Sequence, residues 1–241
     1  MQYLRFFFLF AFLPVTCLSQ SISISAISAH SGNQPGTVPL KEGTITIRGN
    51  SVQLTSSNQS VNQTGIAGWA VSDEGLKVGL LRRENGLELS TYDYRGSQIT
   101  ENDMEFFEGG DETLEIYQFD DGRTVVRDNV ANFSFFDASG KLIYSVSNSS
   151  QSSDGESESK LAADPSGSTV VLYNPIISAG GQTGSRASLV FGPNNTEVFY
   201  QGNNREITHL SVNENGTLIS LIAGTGSNTQ AIVFDRFGNE L

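Results

Sequence analysis

Carboxylates are the chemically capable residues that cluster most in this chain. Glu101, Asp103, Glu105, Glu108, Asp111 and Glu112 fall within residues 100–113, and Asp154, Glu156 and Glu158 within 147–159. Several oxygen ligands on one loop are what a hard divalent ion such as calcium requires. Neither stretch shows the alternating Asp-x-Asp-x-Asp-Gly order of a preformed calcium loop, and a solvated acidic run is the simpler reading. Calcium therefore stands as a candidate ion only, and no cofactor is expected. Phe106 and Phe107 sit among the acids, and exposed aromatics suit a partner contact. Glu101, Asp103, Glu105, Phe106, Phe107 and Asp111 are the candidate binding residues.

Other chemistries find little support. The two histidines, His30 and His209, have no second His or Cys at ligand spacing, so no zinc site is expected. No Gly-x-Ser-x-Gly elbow marks a nucleophile. "GGQTGS" and "GTGS" neither end in Lys-Ser/Thr nor open a helix, so they read as loops rather than phosphate cradles. Arg82, Arg83, Arg127, Arg186 and Arg205 could clamp a carboxylate. Arg127 is the odd one, because the equivalent strand positions hold Leu80, Leu172 and Leu221. Six Asn-x-Ser/Thr sequons begin at Asn58, Asn62, Asn132, Asn148, Asn194 and Asn215, and they matter only in a cell that glycosylates its exports. No catalytic residue is assigned.

Composition narrows the partners. With 14 Lys+Arg against 26 Asp+Glu, the net charge of −12 opposes nucleic acid and anionic membrane surfaces, both of which demand a basic face. Residues 1–19 place Arg5 before an apolar run, Phe6–Val15, and then small or polar residues, the order of a secretory signal. The run is too short for a membrane span. Cleavage after Ser19 leaves Gln20 as the new N-terminus and directs the protein outside the cytoplasm, secreted or to the periplasm or cell envelope. Lipidation at Cys17 is the rival, and Pro14-Val15-Thr16 is a poor approach to an acylated cysteine. Once the signal is removed no cysteine remains, so burial alone must hold the fold.

What positions the candidate residues is an internal repeat. Asp- or Asn-led turns close on Gly75, Gly122, Gly167 and Gly216, at spacings of 47, 45 and 49 residues. A β-branched residue follows each glycine by three: Val78, Val125, Val170 and Ile219. A second marker sets an aromatic before Asp or Gly at Tyr92-Asp93, Phe136-Asp137, Phe191-Gly192 and Phe234-Asp235. Gly96, Gly140 and Gly238 come three positions after those aspartates, and Asn195 holds the place in the third copy. Asp or Asn bonds back to its own turn while Gly takes the left-handed conformation, so each marker predicts a hairpin. No segment has a sustained 3.6-residue apolar period, so almost no helix is expected. Four-stranded antiparallel units of 40–50 residues in tandem predict an all-β propeller. The units lie near 66–113, 114–160, 161–207 and 208–241, in a domain running from 42 to 241 after an extension at 20–41.

Over roughly residues 66–241 this pattern resembles the Asp-Gly-type repeats of bacterial WD-repeat-like propellers, the TolB-like class. The resemblance implies a propeller fold and a binding or scaffolding role. No Trp-Asp closes a blade and no Gly-His opens one, and "VSDEGLKV" lacks the spacing and terminal aromatic of a sialidase-type Asp box.

In an up-and-down blade the two Asp/Gly turns share one end, and the opposite end collects the long connections at 100–113, 147–159 and 174–186. Variable loops on a rigid scaffold carry binding, so a protein or glycan ligand is expected on the long-loop face. The leading expectation is a non-catalytic binding or scaffold module. A second is a carbohydrate-active hydrolase or lyase with carboxylates in the central channel. Against it, the four inner strands hold a single carboxylate, Glu115. A third is the N-terminal part of a larger propeller. The last copy, "IVFDRFGNEL", stops after its turn, and "EGTITIRGNSVQLTSS" (42–57) is the expected closing strand or hairpin, pairing residues 44–55 with 230–235.

Overall fold

The structure, a computed structural model, describes residues 30–31, 36–56, 60–83, 86–104, 114–128, 131–148, 151–152, 155–156, 158–179 and 182–241. The signal segment, the first part of the extension and the candidate residues Glu105, Phe106, Phe107 and Asp111 lie outside them.

The strands form in the order the turn residues dictate. After β1 (His30–Ser31), the first blade comprises β2 (Gly36–Leu40), β3 (Gly43–Arg48), β4 (Ser51–Thr55) and β5 (Ser60–Gln63). The second comprises β6 (Ile66–Val71), β7 (Lys77–Arg83), β8 (Leu87–Asp93) and β9 (Gln98–Asp103). The third comprises β10 (Glu115–Gln118), β11 (Thr124–Asp128), β12 (Asn132–Phe136) and β13 (Leu142–Ser147). A two-residue pair, β14 (Gln151–Ser152) with β15 (Gly155–Glu156), precedes the fourth. The fourth holds β16 (Lys160–Ala163), β17 (Val170–Ala179), β18 (Gln182–Gly192) and β19 (Asn195–Asn203). The fifth has three strands, β20 (Ile207–Val212), β21 (Leu218–Ala223) and β22 (Gln230–Asp235). Every pairing is antiparallel between chain neighbours, apart from those of β1, which slots between β6 and β10 and joins two blades. One short 3-10 turn, Gly226–Asn228, is the only helix among the described residues.

Both faces of a middle blade are buried, so its second strand reads as an apolar run rather than an alternation. Leu80 packs toward the first blade with Trp69 and Tyr92, while its neighbour Leu81 packs toward the third with Leu89 and Ile116. Val125 and Val126 divide in the same way, as do Leu172 and Val171. Four apolar cores result, one in each junction between successive blades. Serial four-stranded antiparallel sheets packed face to face constitute a β-propeller architecture.

Three expectations are corrected. Residues 44–55 do not pair with 230–235; β3 and β4 pair with each other and with β2 and β5, and no sheet closes. The cause is their apolar face. Ile45, Ile47, Val52 and Leu54 cover Trp69 and Leu80, which fixes the hairpin as the middle of an additional blade. The array therefore has five units among the described residues, beginning at Gly36. Residues 100–103 continue the outer strand β9 rather than starting a loop, and 174–186 belong to a long β17–β18 hairpin with an irregularity between Asn174 and Ile177. Finally, the left-handed residue of the fourth blade's second turn is Asn194, at φ 54°, not Asn195. This turn is tighter than its counterparts, with Gly192 pairing directly with Asn195.

Candidate ligand-binding surfaces

The turn end of the array is internally satisfied. Asp93 Oδ1 accepts the N–H groups of Arg95 and Ser97 at 2.9 and 2.8 Å. Asp137 Oδ1 does the same for Ser139 and Lys141, and Asp235 Oδ1 for Phe237 and Asn239. Asp164 and Asn213 play this part in first turns, accepting from Thr169 at 2.6 Å and from Thr217 at 2.8 Å. In the second blade Ser72 Oγ takes that role, holding the N–H groups of Leu76 and Lys77, rather than the Asp73 that the sequence suggests. Hydrogen bonds of this kind favour the ionised carboxylate. The Ser139 and Asn239 side chains, foremost, hold Asp137 and Asp235 below the usual carboxylate range.

The first turns are also fastened to each other. Lys41 N–H donates to Gly75 O at 3.1 Å, Glu74 N–H to Asp120 Oδ1 at 3.2 Å, and Asp120 N–H to Pro165 O at 3.2 Å. Thr169 Oγ1 donates to Gly216 O at 2.8 Å, so every blade junction is bridged at this level.

The opposite end carries charge. Arg127, buried at 4% exposure, meets Glu115 at 2.9 Å and Glu158 at 3.2 Å, and donates to Ser159 O at 2.6 Å. The Arg that breaks the leucine pattern is therefore the centre of an ion-pair cluster between the third and fourth blades. Tyr117 Oη donates to Glu115 Oε2 at 2.9 Å. Burial first, then the Glu115 charge, pushes the Tyr117 phenol well above its ordinary value. Beside the cluster lies an amide knot. Asn148 Nδ2 donates to Ser159 Oγ at 2.6 Å and to Asn174 Oδ1 at 3.1 Å, and Asn174 Nδ2 returns to Asn148 O at 3.2 Å. Arg186 reaches both amide oxygens at 3.4 Å.

Arg82 anchors a second cluster, between the first and second blades. Its Nε donates to Glu88 Oε1 at 3.0 Å and its Nη1 to Gln63 Oε1 at 2.6 Å. Burial alone would raise the Glu88 carboxyl, and hydrogen bonds from Ser90 and Arg82 more than reverse it, leaving it below the usual range.

Of the sequence-predicted residues, Glu101 and Asp103 lie two apart on β9, both exposed. Glu101 Oε1 stands 3.6 Å from Arg82. Among the described residues no three His, Cys, Asp or Glu side chains converge as a metal site. His209 is exposed on β20, and Arg205 contacts Gln230. Sequence reasoning missed Asn148, Ser159 and Asn174. Polar residues are common in this chain, and nothing in their spacing sets these three apart.

No protein-family model and no curated protein sequence matches the chain. Among solved structures, the chain is similar to a eukaryotic initiation factor at 12% identity and TM-score 0.49. That likeness covers 92% of this chain and 55% of the factor, so the chain spans little more than half its length. It is similar to the Cps50 (Swd1) β-propeller domain of Myceliophteria thermophila at 12% identity and TM-score 0.39, over 91% of this chain and 87% of that one. It is similar to TolB from Acinetobacter baumannii at 14% identity and TM-score 0.39, over 90% and 52% respectively. The neighbours thus include TolB and a β-propeller domain. At such identities no activity transfers, and the propeller architecture stands on the protein's own sheets. Among the described residues no helix is long and apolar enough to cross a membrane.

Proposed function

We propose that this protein is an exported, non-catalytic β-propeller module that binds a partner through its long-loop end. The observation that carries the reading is the contrast between the two ends. Turn carboxylates and amides are engaged by their own backbones and the first turns are tied to one another, whereas the loop end presents unlike connections around Arg127 and the Asn148–Asn174 pair. Irregular connections over a rigid scaffold are where recognition concentrates. Export rests on the signal pattern of residues 1–19.

The loop-end carboxylates suit recognition better than acid–base work. Glu115 and Glu158 share one arginine, so both carboxylates are engaged within the protein rather than presented as a facing acid–base pair. Calcium enters this reading only as a ligand of the acidic run beginning at Glu101.

The test is site-specific photocrosslinking in the secreting cell. A crosslinking side chain at exposed Thr183, on the loop end, is expected to capture a partner, and one at exposed Ser139, on the turn end, to capture none. Capture from Ser139 alone would overturn the assignment of the end. Glycoside turnover that disappears in Glu115→Gln would favour the hydrolase reading instead.

A further inference from the structure

Between the second and third blades the apolar contact stops short of the rim. Near the inner strands the third blade turns Ile116 and Val126 toward the second. At its outer pair the same face carries Asn132 opposite Ser147 and Ser134 opposite Ser145. The alternation of β12 explains the change, since Phe133 and Phe135 point the other way, into the junction with the fourth blade. The second blade faces this polar ladder with Asn102. A cleft of about 630 Å³ opens there, with Met104, Phe136, Leu142 and Val146 as apolar lining and Asn194 of the fourth blade among its polar lining. Aromatic groups crowd the outer part of the other junctions, and the clefts that open at the third and fourth, about 330 and 660 Å³, each carry an arginine, Arg123 and Arg205. Tyr92 bonds Gln63 at 2.8 Å in the first, Phe135 stacks on Tyr144 at 4.5 Å in the third, and Phe199 meets Phe234 at 4.9 Å in the fourth.

We propose that this cleft is a binding site for a neutral polyhydroxylated ligand, a short oligosaccharide. Its volume falls in the range of roughly 300–1,000 Å³ typical of small-molecule sites. Hydroxyls and amides each donate and accept, as a sugar's hydroxyls do. Ser134 Oγ and Ser145 Oγ already hold each other at 2.9 Å, so the ladder is ordered before a ligand arrives. Charge is balanced, with Asp103 near the loop end and Lys141 near the turn end, and no arginine lines the cleft to clamp a phosphate or carboxylate. Met104 and Phe136 offer an apolar surface to a sugar's C–H face. The cleft lies on the flank of the array, so this inference does not depend on what the loop end binds.

Calorimetric titration of the whole secreted protein with maltotriose, cellotriose and tri-N-acetylchitotriose tests it. At least one is expected to bind saturably, with an affinity unchanged between about 50 and about 500 mM NaCl, because a neutral ligand brings no charge to screen. Ser145→Leu, which fills the cleft from an exposed position, should weaken binding about tenfold or more through lost hydrogen bonds and volume. Ile143→Ser, outside the cleft on the same strand, should leave it unchanged. If Ser145→Leu does not fold, the exposed pair Asn132→Ala/Ser147→Ala replaces it with the same expectation. The proposal fails if none of the three sugars binds at roughly 10 mM, well above the weakest affinity such a site would need. It also fails if binding survives the cleft variants, or is salt-dependent and lost in Lys141→Ala, which would indicate an anionic ligand or peptide.

Discussion

The ring of Phe119 occupies the space that a side chain at Gly167 would need: a Cβ there would stand 3.0 Å from two of its ring carbons. One residue leads into the third blade's first turn and the other closes the fourth's, so the contact locks two blades together. Gly167 also has φ 64°, which L side chains adopt at a cost. Gly167→Ala should therefore lose about 2–3 kcal/mol, the sum of backbone strain and overpacking. Urea denaturation reads the loss. Gly49→Ala, where φ is 58° but a Cβ meets nothing within 4 Å, is the matched control, and equal effects at the two sites would refute the lock.

Breaking the Arg127 cluster should be costly, and replacing it should not. Arg127→Ala leaves Glu115, 22% exposed, facing an unpartnered site and is expected to cost about 3 kcal/mol. The double replacement Glu115→Leu/Arg127→Leu installs at 127 the leucine found at the equivalent positions of the other repeats. It should be neutral or stabilising by about 1 kcal/mol, since apolar substitutes avoid desolvating the pair. A double variant weaker than Arg127→Ala would show that the ion pair itself is net stabilising.

Acid should weaken the protein through specific carboxylates. Asp137, Asp235 and Glu88 all sit below the ordinary carboxylate range in the folded state. A depressed folded value means the stabilisation is complete above the unfolded pKa, about 4, and is lost as pH falls through the folded one. The urea midpoint should be flat from about pH 6 to 7 and decline below about pH 4. Glu88→Gln should shallow that decline, and an unchanged acid limb in this variant would remove Glu88 from the account.

The fourth blade's second turn makes a one-residue prediction. Asn194→Gly should be neutral or gain up to about 1 kcal/mol, because glycine accepts positive φ without a Cβ penalty. Asn194→Val should lose about 1–2 kcal/mol for the opposite reason. The same pair at Asn195, whose φ is not positive, should reverse in order, and thermal melts distinguish the outcomes.

Legibility followed the turn chemistry. At Asp93, Asp137, Asp164, Asn213 and Asp235, each three before a glycine, the bond pattern implied by the residues is the one formed. The first blade lacks that signal, since its turns at Lys41-Glu42 and Gly49-Asn50 carry no such pair, and residues 42–57 read as a spare hairpin. The last four residues of β9, 100–103, read as loop for a different reason. An outer strand packs only partly against its neighbours, so it needs no apolar alternation, and its single large apolar residue, Ile99, is 43% exposed. The polar knot of Asn148 and Asn174 joins residues 26 positions apart, a distance that local pattern cannot span. Arg127 alone announced its site, by departing from the repeat.

Two of the ties along the turn end, Lys41 to Gly75 and Asp120 to Pro165, run from main-chain N–H to main-chain carbonyl. Any residue with an N–H can donate such a bond, and any residue at all can accept it. The pitch from one blade to the next is thus partly written in backbone, where substitution leaves little trace. Lineages of this chain could diverge widely in side chains while inheriting the same curvature, with novelty gathering at the other end of each sheet.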